Sequence, residues 1–175
     1  MKNMLKGKTV FLRALDTQDV DLILNWENNP ANWRVSGTKV PFSRQSIVDY
    51  IASAQDIFAV RQVRLVVCLN ESEEAIGTID LFDYDPVHQH AGVGVLIVEK
   101  QREKGVGLEV LDLISDYALN AIGIRNLECN ILSNNEASIG LFKKAGFNEV
   151  GCKKKWFNNF GEWLDQYNYQ KELIK

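Results

Sequence analysis

The sequence predicts a single α/β domain with three layers, in which helices cover both faces of a mixed, twisted sheet of about six or seven strands. Short runs of β-branched and apolar residues alternate along the chain with segments whose apolar residues recur at helical spacing. No internal repeat, low-complexity tract or linker divides the 175 residues. We therefore expect one domain over residues 1–175.

The N-terminal half of the chain predicts three strands and two helices. In order, these are a strand at 9–14, a helix capped by Asp16 and ended by Pro30, a helix from Ser43 to about Ile57, and strands at 64–69 and 75–82. A polar turn joins the last two strands, which is the pattern of a hairpin with a longer loop.

The C-terminal half predicts the central strand of the sheet and the elements that follow it. In order, these are a strand at 92–98, a helix at 107–122, a strand at 127–132, a helix at 135–145 closed by Gly146, and a hairpin formed by 148–157 and 163–173. Residues 92–98 are an apolar run bounded by charge, which is typical of a strand buried on both faces.

Composition excludes several classes of protein. The chain has 20 Lys and Arg against 23 Asp and Glu, a net charge of −3, and its densest basic run is only Lys153 to Lys155. A nucleic-acid partner is not expected, because such proteins carry a clustered basic surface. The apolar runs are far shorter than the ~18 residues of a membrane span, so we expect no membrane partner.

The chain also lacks the marks of export and of metal binding. The first eight residues contain three lysines and no continuous apolar segment, so a signal peptide is not expected. Cys68, Cys129 and Cys152 are odd in number and have no paired spacing. We interpret them as buried thiols of a reducing compartment and expect a cytoplasmic protein with no bound metal.

The most informative segment, residues 95–108, runs from a buried strand through a charged turn into a helix. Gly105 and Gly107 remove side chains near the start of that helix, and Arg102 and Lys104 add positive charge. The first-turn N–H groups of a helix have no partner within the helix, and the helix dipole makes them attractive to anions. The segment therefore predicts a phosphate-binding turn, with an ordinary glycine-containing turn as the alternative.

Other phosphate-binding motifs do not fit these residues. A P-loop requires Gly-Lys-Ser/Thr before the helix, whereas Gly107 is followed by Leu108 and Glu109. A dinucleotide-binding turn requires a third glycine, and the position that would hold it is Val110.

Residues 102–107, Arg-Glu-Lys-Gly-Val-Gly, resemble the (Q/R)xxGx(G/A) signature of the GNAT superfamily of acyl-CoA-dependent N-acetyltransferases. Residues 135–147 resemble the second motif of that superfamily, Asn-x-x-(Ala/Ser)-x-x-(Leu/Ile)-(Tyr/Phe)-x-x-x-Gly-Phe. A third pattern, from Arg13 to Pro30, is similar to the start of the branch that holds ribosomal-protein N-terminal and spermidine N-acetyltransferases. Together the resemblance covers almost the whole chain.

The resemblance implies a GNAT-like fold, splayed at the central strand, and an acetyl-CoA site. The backbone of Leu96, Ile97 and Val98 would pair with the pantetheine arm. The pyrophosphate would be held by Arg102, Glu103, Lys104, Gly105, Val106, Gly107 and Leu108. Asn135, Ser138 and Phe142 would flank the thioester, although Asn135 is equally well explained as a helix cap.

The implied activity is direct transfer of the acetyl group of acetyl-CoA to a primary amine. The sequence departs from the family at two customary functional positions, because Phe142 replaces a proton-donating Tyr and Gly92 replaces a Glu. A non-catalytic acyl-CoA-binding regulatory protein is therefore the alternative. Our first candidate for the group that handles the amine proton is Asp80, followed by His88 and then Glu128.

The acceptor side is expected to be built by the first two helices and the last hairpin. Its candidate residues are Trp26, Glu27, Trp33 and Tyr84. Aromatic rings beside carboxylates suit a cation, which favours the amine of a small molecule or a peptide N-terminus as the substrate. The final hairpin is also able to pair in a homodimer.

Overall fold

The computed structural model describes residues 4–36, 38–53 and 56–174, which form one mixed sheet of seven strands. Across the sheet these are β1 (Val10–Ala14), β2 (Val63–Leu69), β3 (Ala75–Asp85), β4 (His90–Ile97), β5 (Asn126–Leu132), β7 (Glu162–Glu172) and β6 (Asn148–Asn159). Neighbouring strands are antiparallel except for β4 and β5, which are parallel. The predicted mixed sheet is confirmed.

Helices cover both faces of the sheet. They are α1 (Val20–Glu27), α2 (Pro30–Ser36), α3 (Arg44–Ser53), α4 (Ile57–Val60), α5 (Val106–Tyr117) and α6 (Glu136–Lys144). Successive strand residues point to opposite faces, so Val66 of β2 packs with α1 and α3, whereas Val67 packs in the larger core with α5 and α6. The three predicted layers are therefore present.

The predicted helix boundaries need two corrections. Pro30 begins α2 instead of only ending the preceding helix, because proline has no N–H to lose in a first turn. The predicted second helix ends at Ser53, and Ile57 begins the separate short helix α4, which Asp56 caps. Residues 54 and 55, which the prediction placed inside that helix, lie outside the described residues.

Pairing between β4 and β5 stops after three residues. Only His90, Ala91 and Gly92 of β4 pair with β5, whose remaining residues pair with β7 alone. The two strands diverge beyond Gly92 and leave an open wedge between them, so the predicted splay is confirmed. The expectation that β4 is buried on both faces is wrong for residues 94–96, which are half-buried because β5 does not cover them.

The chain enters α1 through a capping box. The Asp16 side chain accepts the backbone N–H of Gln18, and Asp19 accepts the backbone N–H of Asp16 at 2.8 Å. Arg13 of β1 also donates two hydrogen bonds to Asp19, at 2.7 and 2.8 Å. Together these bonds lower the pKa of the buried Asp19 carboxyl, and those from Arg13 have the largest effect.

We expect Asp19→Asn to lower the free energy of unfolding at pH 7 by about 1.5–3 kcal/mol, since it removes charge-assisted hydrogen bonds from a buried acceptor. A carboxyl whose pKa is lowered by folding stabilises the protein above its unfolded pKa of about 3.9, and this contribution is lost as the pH falls through the folded pKa. The difference from the wild-type protein should therefore shrink below about pH 4. Denaturant titration from pH 2 to 7 measures it, with the exposed Asp112→Asn as the control. A difference that does not change with pH would contradict the assignment.

Candidate functional site

The wedge between β4 and β5 exposes backbone groups of the central strand. The Val98 amide donates to the Ile76 carbonyl of β3 at 2.9 Å, so the sheet already uses it. The Ile97 carbonyl instead accepts a hydrogen bond from Arg102 Nε at 2.8 Å. Val98 is one of the three residues predicted to pair with a pantetheine arm. Its amide is therefore not free for a ligand, because it already donates to β3.

A compact turn links β4 to α5 at the end of the wedge. Glu103 and Gly105 adopt left-handed backbone conformations, with φ of 60° and 81°, and α5 begins at the next residue after Gly105. Among the described residues, none accepts a hydrogen bond from the backbone amides of Val106, Gly107 and Leu108. These amides, at the positive end of α5, are available to an anion.

The two glycines of this turn have different structural roles. Gly105 has open space around it, and its positive φ is a conformation that glycine adopts without strain. A methyl group on Gly107 would lie 3.0 Å from Leu141 Cδ2, so Gly107 allows α6 to approach α5 closely. The prediction that both glycines make room for phosphate therefore needs correction, because the missing side chain of Gly107 makes room for α6.

The two predicted basic residues lie beside these amides. Arg102 and Lys104 are both exposed, with the acidic Glu103 between them. The bond from Arg102 to Ile97 holds the guanidinium where the wedge meets the turn. Lys104 Nζ donates to Gln101 Oε1 at 3.3 Å. Backbone amides and one anchored guanidinium are thus the main donors of the turn.

The three predicted thioester contacts on α6 differ in exposure. The Asn135 side chain caps α6 by accepting the Ser138 amide at 3.2 Å, as the structural alternative proposed. Ser138 is half-buried, whereas Phe142 is only 4% exposed and packs edge to face against Phe147. Phe142 therefore belongs to the core, whereas Asn135 and Ser138 are half-buried.

A charged cluster lies on the opposite side of β4 from β5, on the face covered by α1 and α3. Arg64 of β2 donates to both carboxylate oxygens of Asp80, at 2.6 and 3.1 Å, and to Glu27 Oε1 at 2.5 Å. The Tyr50 ring lies 5.1 Å from the guanidinium. Two carboxylates and one guanidinium leave the cluster with a net charge of −1. Since Asp80 pairs with Gly94, this charge lies next to the unpaired part of β4.

Burial and charge act on the pKa of Asp80 in opposite directions. Burial raises the pKa, and the paired Arg64 guanidinium limits the rise by stabilising the carboxylate. The sequence analysis identified Asp80 and Glu27 but missed Arg64, which joins them. The sequence could have indicated this partner, because a hairpin whose pairing is symmetric about Ser72 places Arg64 opposite Asp80.

The remaining predicted acceptor-binding residues and the catalytic candidate His88 lie in three places. Trp33 donates its indole N–H to the Glu27 carbonyl at 2.7 Å, and Trp26 packs on the core under α1. Tyr84 is 4% exposed and lies in the core on the α5 side, so it is not part of the acceptor surface. His88 is exposed on the β3–β4 turn, where its ring stacks on His90, and it does not join the charged cluster.

The cysteines and possible metal ligands add no further reactive groups. Cys68 and Cys129 are buried as predicted, whereas Cys152 is only half-buried. Burial raises the pKa of the Cys129 thiol to about 12, so this thiol stays protonated at neutral pH. Within residues 4–36, 38–53 and 56–174, no cluster of three or more His, Cys, Asp or Glu side chains is arranged to hold a metal ion. Over the same ranges, no helix is long and apolar enough to span a membrane.

Comparison with known proteins identifies the family. The profile of the acetyltransferase (GNAT) domain matches residues 9–148. The chain belongs to the GNAT acetyltransferase family. The probable N-acetyltransferase YjcK of Bacillus subtilis is 26% identical over 171 residues, with 93% of each chain covered. The predicted N-acetyltransferase activity is thus confirmed at the level of the family, and nothing in the comparisons supports a non-catalytic regulator.

Solved structures share the fold of this GNAT acetyltransferase. Spermidine N-acetyltransferase of Vibrio cholerae, crystallised with CoA and spermine, superimposes with a TM-score of 0.86 at 21% identity and covers 94% of this chain and 95% of its own. The ribosomal-protein-S5-alanine acetyltransferase of Vibrio fischeri superimposes with a TM-score of 0.85 at 16% identity and covers 97% and 96%. At these identities the likeness establishes the fold.

We expect Gly105→Asp to bind coenzyme A more weakly than Gly105→Asn by about 1–4 kcal/mol, because a carboxylate would face the pyrophosphate across the turn. Asparagine has nearly the same size and also tolerates a positive φ, so the pair isolates the effect of charge. Lys104→Ala should cost only about 1 kcal/mol, since backbone amides supply most of the donors. Calorimetry with coenzyme A gives the three affinities. Equal affinities for the Asp and Asn variants would place the pyrophosphate elsewhere.

Proposed function

We propose that this N-acetyltransferase moves the acetyl group of acetyl-CoA directly to a primary amine that carries positive charge before it reacts. The observation that carries the proposal is the placement of two opposite charges around one strand. An anion-binding turn stands at the end of β4, and the net-negative cluster of Glu27, Arg64 and Asp80 stands beside its unpaired part. The first suits a nucleotide pyrophosphate and the second suits an ammonium group.

The proposed donor site follows the wedge from the turn toward Gly92. The pyrophosphate would accept hydrogen bonds from the backbone amides of Val106, Gly107 and Leu108, with Arg102 beside them. The pantetheine arm would lie against the exposed edge of β4, where β5 no longer pairs. Its amides are suited to β-like hydrogen bonding with a strand edge. Coenzyme A in the Vibrio cholerae spermidine N-acetyltransferase structure, which shares the fold, supports this choice of donor.

The transfer forms one bond and breaks another. The unprotonated amine attacks the thioester carbonyl, the C–N bond forms, and the C–S bond then breaks with its electron pair on sulfur. The amine nitrogen loses one proton in the step and the thiolate gains one, so an amide and free coenzyme A result. Because an alkyl ammonium has a pKa of about 10.4, the site must first remove a proton from the bound acceptor.

The acceptor class is proposed from the charge and aromatic character of the cluster. The proposed role of Asp80 and Glu27 is to hold the acceptor as a cation, while Trp26 and Trp33 line the same side. Proteins that share this fold are named for spermidine and for an alanine of ribosomal protein S5. We favour a small cationic amine and keep a peptide N-terminus as the second candidate. Cytoplasmic location, homodimer formation and the absence of a metal requirement stay predictions.

We expect purified protein to release coenzyme A from acetyl-CoA only when an amine is present. Polyamines should give higher kcat/KM than neutral amino-acid amides, because the acceptor cluster is anionic. A thiol-release assay over polyamines, amino acids and peptides with free N-termini measures this ranking, with and without EDTA. Asp80→Asn should reduce kcat/KM for polyamines about tenfold or more, an effect of about 1.4 kcal/mol. Binding of acetyl-CoA without amine-dependent thiol release would contradict the proposal.

A further inference from the structure

Arg64 joins the two carboxylates of the charged cluster that it forms with Glu27 and Asp80. Three of its five N–H groups are engaged, because Nε and Nη2 donate to Asp80 and Nη1 donates to Glu27 Oε1. The Tyr50 ring lies 5.1 Å from the guanidinium, and Gln62 donates to the Tyr50 hydroxyl at 2.8 Å. Two acids and one aromatic ring therefore fix the position of Arg64.

Arg64 also sets the charge of this cluster. With two carboxylates and one guanidinium, the cluster carries a net charge of −1. Burial raises the pKa of the neighbouring Tyr50 phenol, which therefore stays neutral at neutral pH. Among the described residues, no ion pair links the cluster to a further charged side chain. Glu128, which pairs with Gly92 at the narrow end of the wedge, lies outside the cluster and forms no ion pair within the same residues.

The cluster keeps an opening for a ligand at Glu27. The side chains of Arg64, Glu27 and Asp80 are 16%, 22% and 17% exposed, respectively. Both oxygens of Asp80 accept hydrogen bonds from Arg64, whereas Glu27 Oε2 accepts none from the part of the chain that the structure describes. Glu27 is also the last residue of α1, and the C-terminal end of a helix attracts cations. Glu27 Oε2 is therefore available to a cationic group of a ligand.

The strand face between the cluster and the wedge is open at Gly94. Asp80 pairs with Gly94, which lies two residues beyond Gly92, or about 7 Å along the strand. Apart from its chain neighbours, a methyl group on Gly94 would have only Phe82 Cε1 within 4 Å among the described residues, at 3.6 Å. This is an ordinary van der Waals distance, so Gly94 leaves room for an alkyl chain between the cluster and the unpaired edge of β4.

The charge of the cluster is unsuited to the amine that reacts. A negative neighbour raises the pKa of an ammonium group, because it stabilises the protonated form. Attack on the thioester instead requires a neutral nitrogen with a free electron pair. The cluster therefore suits a cationic group that keeps its proton throughout the reaction.

We propose that Arg64 determines the acceptor specificity of this acetyltransferase. By holding the cluster at one net negative charge, it selects acceptors that carry a second cationic group, which does not react. The inference rests on the proposed function. The second cation binds at Glu27 Oε2, the alkyl chain passes over Gly94, and the other amine reaches the thioester at the exposed edge of β4. In the transfer already described, only that amine loses a proton and forms the C–N bond, and the second cation stays unchanged.

The test compares three acceptors that differ only in the group at the end of one alkyl chain: 1,5-diaminopentane, hexylamine and 6-aminohexanoate. Their ends carry an ammonium, a methyl and a carboxylate group, respectively. For the wild-type enzyme we expect kcat/KM to be about tenfold or more higher for 1,5-diaminopentane than for hexylamine, and lowest for 6-aminohexanoate. The reason is that the cluster attracts the first end group and repels the last. A thiol-release assay measures all three.

Substitutions that change the charge of the cluster should change this ranking. Glu27→Gln and Asp80→Asn each bring the cluster to net zero and should reduce the preference for 1,5-diaminopentane over hexylamine to below about threefold. The double variant leaves the Arg64 guanidinium unpaired at a net charge of +1 and should prefer 6-aminohexanoate to 1,5-diaminopentane. Adding Arg64→Gln to the double variant should abolish this reversal, which assigns it to Arg64. Arg64→Lys keeps the charge and should keep the wild-type ranking.

The exposed Asp112→Asn on α5 is the control for the loss of one negative charge and should show wild-type kcat/KM for all three acceptors. Coenzyme A affinity by calorimetry should be the same for every variant, since the cluster lies apart from the turn between β4 and α5. A wild-type enzyme that does not prefer 1,5-diaminopentane, single variants that keep the full preference, or a double variant that does not reverse it would overturn the inference and leave the proposed function intact. A wild-type protein that shows no amine-dependent thiol release with any amine would overturn the proposed function and this inference with it.

Discussion

The structure depends on a single interruption in the sheet, the end of pairing between β4 and β5 after Gly92. Each unpaired backbone group in a protein interior is costly unless water or a ligand satisfies it. Both strands continue beyond the interruption because each has a second neighbour, β3 for β4 and β7 for β5. The sheet thereby keeps an exposed strand edge inside a folded domain, and the pantetheine arm is proposed to lie along this edge.

The interruption also sets the places of the charged groups. The unsatisfied amides of α5 lie at the wide end of the wedge. Asp80 lies beside β4, and Glu128 lies at the narrow end of the wedge. The Arg64 guanidinium pairs with both Asp80 and Glu27 and offsets the repulsion between their carboxylates. The three side chains together carry a net charge of −1. The turn at the end of β4 and the acids beside that strand therefore offer opposite charges along one strand, and the proposed function rests on this arrangement.

Sequence patterns predicted the parts of the site that depend on local structure. Residues 102–107 specify a turn and a helix start, and a helix N-terminus offers hydrogen-bond donors to an anion. The family resemblance identified Asn135, but it could not choose between capping and ligand contact, and the structure shows the cap. The family resemblance assigned Phe142 to the thioester site, and Tyr84 was assigned to the acceptor surface, whereas both are buried in the core. Residue type does not reveal which side of a strand or helix is covered.

Local sequence patterns predicted the fold class, the order of the elements and the turn between β4 and α5, because these follow from periodicity, capping and glycine positions within a few residues. Tertiary structure alone decided which acids are free. Arg64 engages Asp80 through the register of one hairpin, and Glu128 meets Gly92 through a parallel pairing between strands separated by α5. A shift of one residue in either register would turn these side chains to the other face. Such registers are set by the packing of the whole sheet, which no local pattern encodes.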